Sequence, residues 1–182
     1  VFESTRGMRV GDEAEFEGHM LEVTLGPGML SRNYDGLQND LDKMEGVFLK
    51  RGEYTFPLDN DKLWDFKPLA KVGDKVAAGG WLGEVDENFQ PHKIMVPFTF
   101  KGEYTVKSLK EAGQYTIGEV IAVLTDETGK DVEVTMIQRW PVKRAITCYK
   151  EKPRPYKLLE TGVRTIDTVN PIVEGGTGFI PG

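Results

Sequence analysis

The 182-residue sequence is poor in groups that do chemistry alone. It has one cysteine, Cys148, which excludes an internal disulfide and suits a reducing compartment. No histidine lies near it in sequence, so it does not read as a catalytic nucleophile. The two histidines, His19 and His92, lie far apart, with no Cys or carboxylate cluster at metal-ligand spacing. Asp40, Asp42, Asp59, Asp61 and Asp65 lie close together in sequence. They lack the central glycine and terminal glutamate of a calcium loop. No metal is expected. No apolar run approaches the ~18 residues of a membrane helix, so direct membrane insertion is not expected. The stretch from Val1 carries no signal-peptide pattern, and the chain reads as an excised piece of something longer.

What remains is ordinary for a soluble globular protein, with 39% hydrophobic and 29% charged residues. The length allows one or two domains with a core that needs no covalent staples. The net charge of -6 is unevenly spread. Segment 136–157 holds seven cations (Arg139, Lys143, Arg144, Lys150, Lys152, Arg154, Lys157) against Glu151 alone, leaving the rest of the chain at -12. Such a stripe can bind nucleic acid, yet it has no aromatic interleaving of the kind that stacks bases, and the pI is about 5.1. It reads as a solvated connector, with no nucleic-acid partner.

The pattern is β-rich almost throughout. Segments 14–16 and 20–25 alternate and are joined by Glu17-Gly18-His19, which predicts a hairpin. Gly26, Pro27 and Gly28 then break the pattern, and 29–34 predicts a single helical turn closed by Asp35-Gly36. The middle of the chain repeats itself. "WLGEV" at 81–85 echoes "IGEVI" at 117–121, and "GEYT" occurs at 52–55 and 102–105. Short strands with Gly turns in two weakly similar halves predict a small barrel or sandwich built by pseudo-twofold duplication. The tail differs. Segment 158–169 is the best helical candidate, with Val163, Ile166 and Val169 at spacing three. A short strand, Gly178, Phe179 and Ile180, precedes Pro181 and Gly182, where a phosphate-cradling loop would begin.

One carrier reading stands beside this. Biotinyl and lipoyl domains are β-sandwiches of two similar halves, and "VGDKVAAGGWLGEV" resembles one such half. Lys93 in "PHKIMVP" would be the lysine at the hairpin tip. The flanks that modifying ligases read are missing, and the connection over 86–94 is longer than a tight hairpin. The alternative function is therefore an independent carrier or binding module of biotinyl or lipoyl type.

Taken together, "VFESTRGMRVGD", "LGPGMLSRNYDGLQNDLD", "FKPLAKVGDKVAAGGWLGEV", "HKIMVP", "GQYTIGEVIAVL", "MIQRWPVKR" and "LLETGVRTIDTVNPIVEGGTGFIPG" resemble the catalytic A subunit of V-type and A-type rotary ATPases. They span nearly the whole chain in the family's order. "QRWPV" and the coupling of "TG-x-R-x-ID" to "GGT…IPG" are the most distinctive. The stretch 143–155 departs mildly from the Arg/Pro-rich run expected there. The resemblance implies a mainly β chain in three parts. Residues 1–45 would end an N-terminal β-barrel domain, and 46–135 would form the barrel-sandwich insertion called the bulge. Residues 136–182 would be a basic connector and the first elements of an α/β nucleotide-binding domain. Gly182 would be the first glycine of the P-loop, with the lysine and hydroxyl that grip phosphate and Mg²⁺ beyond it.

The implied parent couples ATP hydrolysis or synthesis to proton or sodium translocation and takes Mg-ATP or ADP. The 182 residues themselves would be non-catalytic and bind no cofactor. Implied partners are B subunits of the catalytic ring and the peripheral and central stalks, at a cytoplasmic head peripheral to the membrane. The fragment's exposed apolar tail would favour self-association.

Overall fold

The structure, a computed structural model, describes residues 6–16, 18–44, 52–149 and 151–179. It divides into two compact units, 1–148 and 149–182. The described residues of the first contain ten strands. β1 (Glu22–Leu25) pairs antiparallel with β10 (Gln138–Pro141) as a two-stranded ribbon. Between them lie β2 (Trp64–Pro68), β3 (Lys75–Val76), β4 (Trp81–Glu87) and β5 (Gln90–Met95). β6 (Tyr104–Leu109), β7 (Gly113–Tyr115), β8 (Ala122–Thr125) and β9 (Asp131–Val134) complete the set.

Those eight middle strands make two four-stranded sheets, β5-β4-β2-β7 and β3-β6-β8-β9. The halves β2–β5 and β6–β9 correspond strand by strand, and each sheet takes its last strand from the other half. Trp64 and Tyr104, Phe66 and Val106, and Ile94 and Val134 hold equivalent places, each pair 40 positions apart and divided between the two sheets. The duplication predicted from sequence is therefore present, but in a different register. "WLGEV" is the start of strand β4, whereas 117–120 is a turn ahead of β8, and the "GEYT" spacing likewise misses the repeat. Glycine turns recur because their backbone demands recur, while the repeat itself is written in the buried positions.

Two apolar clusters fill the sandwich. One gathers Trp64, Phe66, Val85, Ile94, Ile117 and Met136, and the other Leu82, Val96, Val106, Leu124 and Val134. Alternate residues of β4 point inward until a bulge between Trp81 and Gly83 shifts the register against β5. The glycine there is obligatory. A Cβ on Gly83 would stand 2.2 Å from the Phe66 ring, inside any permitted contact.

Four local expectations are corrected. Segment 14–16 is exposed and forms no strand, and β1 takes its partner from β10 instead of the predicted hairpin. The distant edge offers "QRWP", whose Trp140 is buried, while the near one offers two acids around one exposed phenylalanine. Segment 29–34 is not helical: Ser31 takes a φ of 63° and Tyr34 bridges to Asp40. The only turn of 3-10 helix among the described residues is Leu41–Lys43, capped by Asp40. In the second unit, helix α1 (Arg164–Val169) covers half of the predicted span. Leu158 instead pairs with Val173 in an extended bridge. Gly178 and Phe179 are not in a strand, and Ile180 lies outside the described residues.

Candidate functional site

The sequence-predicted site residue, Gly182, lies outside the described residues. The motif leading toward it is visible. Asp167 on α1 folds back to accept bonds from the Thr161 hydroxyl at 2.6 Å and from the backbone N–H groups of Thr161 and Gly162 at 3.1 and 3.0 Å. Those donors, the Thr161 hydroxyl first, hold the Asp167 carboxyl below its usual range. Leu159 N–H bonds to the Ile172 carbonyl and Glu174 N–H to the Lys157 carbonyl, closing the segment around the helix. The "TG-x-R-x-ID" stretch is thus a self-bonded turn whose polar groups face one another rather than a ligand.

Lys93 does not sit at a hairpin tip. It lies within β5, forms an ion pair with Glu84, and stands 5.0 Å from the Trp81 ring centroid. The Lys93 ammonium in turn holds the Glu84 carboxyl below its ordinary value. The tip is the two-residue turn Asn88-Phe89, so the connection is tight after all. A lysine paired on the face of a strand is not presented for attachment of a prosthetic group.

His19 is exposed and its Nδ1 lies 2.9 Å from the Met20 carbonyl oxygen. No group of three or more His, Cys, Asp or Glu among the described residues could hold a metal ion. Of the sequence-adjacent acids, Asp40 is buried and met by Arg32 at 3.3 Å and Lys43 at 3.7 Å, a structural ion cluster. Beside it Asp35 caps its own loop. Burial pushes that carboxyl up, but donors from Asn39 and Leu37 outweigh it and hold it low. In the basic stretch, Arg144 stacks on Trp140 at 5.4 Å, and the indole N–H donates to the Arg144 carbonyl at 2.7 Å. Lys143, Arg144, Lys152 and Arg154 are exposed.

The polar centre that sequence reading missed is Glu87, at the end of β4 and only 2% exposed. One carboxylate oxygen accepts the N–H groups of Gly28 at 2.7 Å and Leu30 at 2.9 Å. The other meets His92 Nδ1 at 2.7 Å. Next to it Asn88 donates to the Ser31 hydroxyl at 3.2 Å. Ser31, Asn88 and Phe89 all hold positive φ, so three of the strained non-glycine residues in the described chain meet at one corner. Phe89 is 96% exposed there. No sequence signal separates Glu87 from the chain's 29 acids. Its role depends on a contact nearly sixty residues away along the chain.

The described residues thus offer a doubly packed scaffold with an anchored corner, and no assembled catalytic group among them. Residues 55–143 match the ATPsynthase alpha/beta subunit barrel-sandwich domain. The whole chain is similar to the V-type ATP synthase alpha chain of Treponema denticola, 48% identical over 185 aligned positions that cover 31% of that protein. It is 48% identical to the corresponding chain of Borrelia garinii subsp. bavariensis, covering 32%. It is 46% identical to V-type ATP synthase alpha chain 1 of Treponema pallidum, covering 31%. The chain therefore spans about a third of the length of the curated relatives it matches.

Proposed function

Because the chain belongs to the V-type ATP synthase alpha-chain family, we propose that it serves the catalytic subunit of a rotary ATPase that couples ATP hydrolysis or synthesis to proton or sodium translocation. The single observation behind this reading is the identity along the whole chain, inside and outside the barrel-sandwich. In our reading residues 1–45 belong to an N-terminal β-barrel domain, 46–135 to the bulge, and 136–182 to a connector and the start of the nucleotide-binding domain.

Gly182 is the first glycine of the phosphate loop. The Mg-ATP or ADP of the parent is gripped by a lysine and a hydroxyl that this sequence does not contain. The 182 residues alone accordingly hydrolyse nothing, having neither the point charge for the β- and γ-phosphates nor the Mg²⁺ ligand. The parent sits at the cytoplasmic head, against B subunits and the central stalk. No helix among the described residues is long and apolar enough to cross a membrane.

The bulge acts as a lever and contact surface, resisting torque against the peripheral stalk or neighbouring subunits. Its doubled, tightly packed sandwich supplies the stiffness, and its acidic balance steers basic partners. Deleting residues 64–134 from the full subunit and rejoining the ends tests this. ATP hydrolysis that persists while ATP-driven ion transport collapses is the expected outcome. Transport that stays in proportion to hydrolysis overturns it.

A further inference from the structure

The ribbon β1/β10 is connected to the sandwich by the chain that leaves β1 and by the short stretch 135–137 that enters β10, and Trp140 of β10 packs edge-on against Phe98 at 5.7 Å. Between ribbon and sandwich lies a slot with about 170 Å³ of free space, walled by Gly26, Met29, His92, Phe98 and Ile137. Two polar side chains strap its sides. Glu87, on β4, holds the N–H groups of Gly28 and Leu30 in the chain that has just left β1. Gln138, the first residue of β10, accepts the N–H of Phe98 at 2.8 Å. A third clamp ties the leaving chain back onto the ribbon. Gln38 accepts from Thr24 N–H and donates to the Thr24 carbonyl, both at 2.7 Å. At the pivot Gly26 approaches Ile137 so closely that a Cβ there would lie 2.7 Å from its methyl group.

We propose that this junction is a stiffened elbow, in which Glu87 and Gln138 are positioning residues that set the angle between ribbon and sandwich. The slot is the room into which the elbow bends once they let go. Each strap is a polar side chain reaching backbone donors, Glu87 also holding His92 with its second oxygen, so its loss removes hydrogen bonds while the apolar contacts of Met29 and Ile137 with the first cluster stay in place. Buried carboxylates that accept backbone N–H groups make strong, directional bonds, which suits a joint that must hold under load. The mechanical meaning rests on the lever reading above, but the elbow is tested on this chain alone.

Hydrogen exchange on the whole chain reads each strap. Glu87→Ala is expected to speed exchange of the Gly28 and Leu30 amides at least tenfold, and Gln138→Ala to do the same at Phe98, with the amides of β8 as protected as before. Glu87→Gln keeps an acceptor oxygen toward the two amides and is expected to restore most of their protection. Spin labels at Arg139→Cys and Lys130→Cys, in a Cys148→Ser background, then read the angle. A narrow distance distribution is expected to broaden when both straps are cut. An unchanged distribution in the Glu87→Ala, Gln138→Ala double variant overturns the proposal. So does loss of protection throughout β8, which would make both residues plain stabilisers of the fold. The bulge deletion can refute the lever while these measurements stand, and the reverse also holds.

Discussion

In the sandwich, Phe66, Leu82, Ile94, Val106, Ile117 and Leu124 are each 2% exposed or less. From Tyr149 to Phe179 no described residue is buried, and Tyr156, Val169 and Phe179 are 93%, 72% and 87% exposed. Both regions are ordered, by different means. The sandwich excludes water from two apolar clusters, a term of roughly 1.5–3 kcal/mol for each large side chain. The tail relies on Asp167 folding back on Thr161 and Gly162, on the pairing of Leu159 with Ile172, and on the Lys157–Glu174 ion pair at 2.8 Å. Local bonds specify a conformation but contribute little net stability in water. Packed scaffold and locally bonded tail thus occupy different stretches of the chain.

That contrast can be broken most forcefully in the sandwich. Phe66→Ala removes a ring that packs edge-on to Tyr115 at 6.2 Å and fills the first cluster, and is expected to lower unfolding free energy by about 3–5 kcal/mol. The same truncation in the tail, Leu159→Ala, should cost under ~1 kcal/mol, because that side chain is already 46% exposed. Urea melts of the two variants side by side decide it, and equal losses would erase the distinction.

A smaller effect of opposite sign is expected at the corner. Phe89→Gly removes the left-handed penalty of a bulky residue, roughly 1–2 kcal/mol. It adds glycine's entropy cost of about 0.5–1 kcal/mol, for a net gain of at most ~1.5 kcal/mol. The urea midpoint should rise slightly.

Smallest for the molecule as a whole is Asp167→Ala, whose expected signature is local. Exchange at the Thr161 and Gly162 amides accelerates while the sandwich melts unchanged. The pH dependence carries the same sign. Asp167 titrates below its ordinary value of 3.8 in the fold, so its support is complete above about pH 4 and disappears as the pH falls through the lower folded value. Protection of those two amides should fade with acid in the parent chain and show no such step in the variant.

Much of the scaffold was legible because glycine and alternation report local backbone demands. The barrel-sandwich could be read from "KVGDKVAAGGWLGEV" and its counterpart. Register could not. The match of "GEV" at 83–85 and 118–120 sets a strand segment beside a turn, whereas the real correspondence pairs Phe66 with Val106 and Ile94 with Val134, unlike letters with the same burial. The 14–25 hairpin failed for a related reason. A strand edge is satisfied by whichever partner hides more apolar surface, and for β1 that partner lies more than a hundred residues on. The helix at 158–169 was half right, since Leu158 and Leu159 pair with 172–173 and leave only 164–169 to coil. At the site, the tail motif could be read as a motif, while Glu87 was invisible. Burial of one carboxylate among many is decided by what folds over it.

One consequence of the exchanged strands β3 and β7 concerns how such a doubled sandwich can be inherited. Each copy lends a strand to the other, like two hands with one finger interlaced. Neither copy can be lost or traded without leaving an open seam in both sheets. A lineage that carries this sandwich must keep its copies as a pair, and its tolerance for change is left to the rims, where Asn88 and Phe89 stand clear of the clasp.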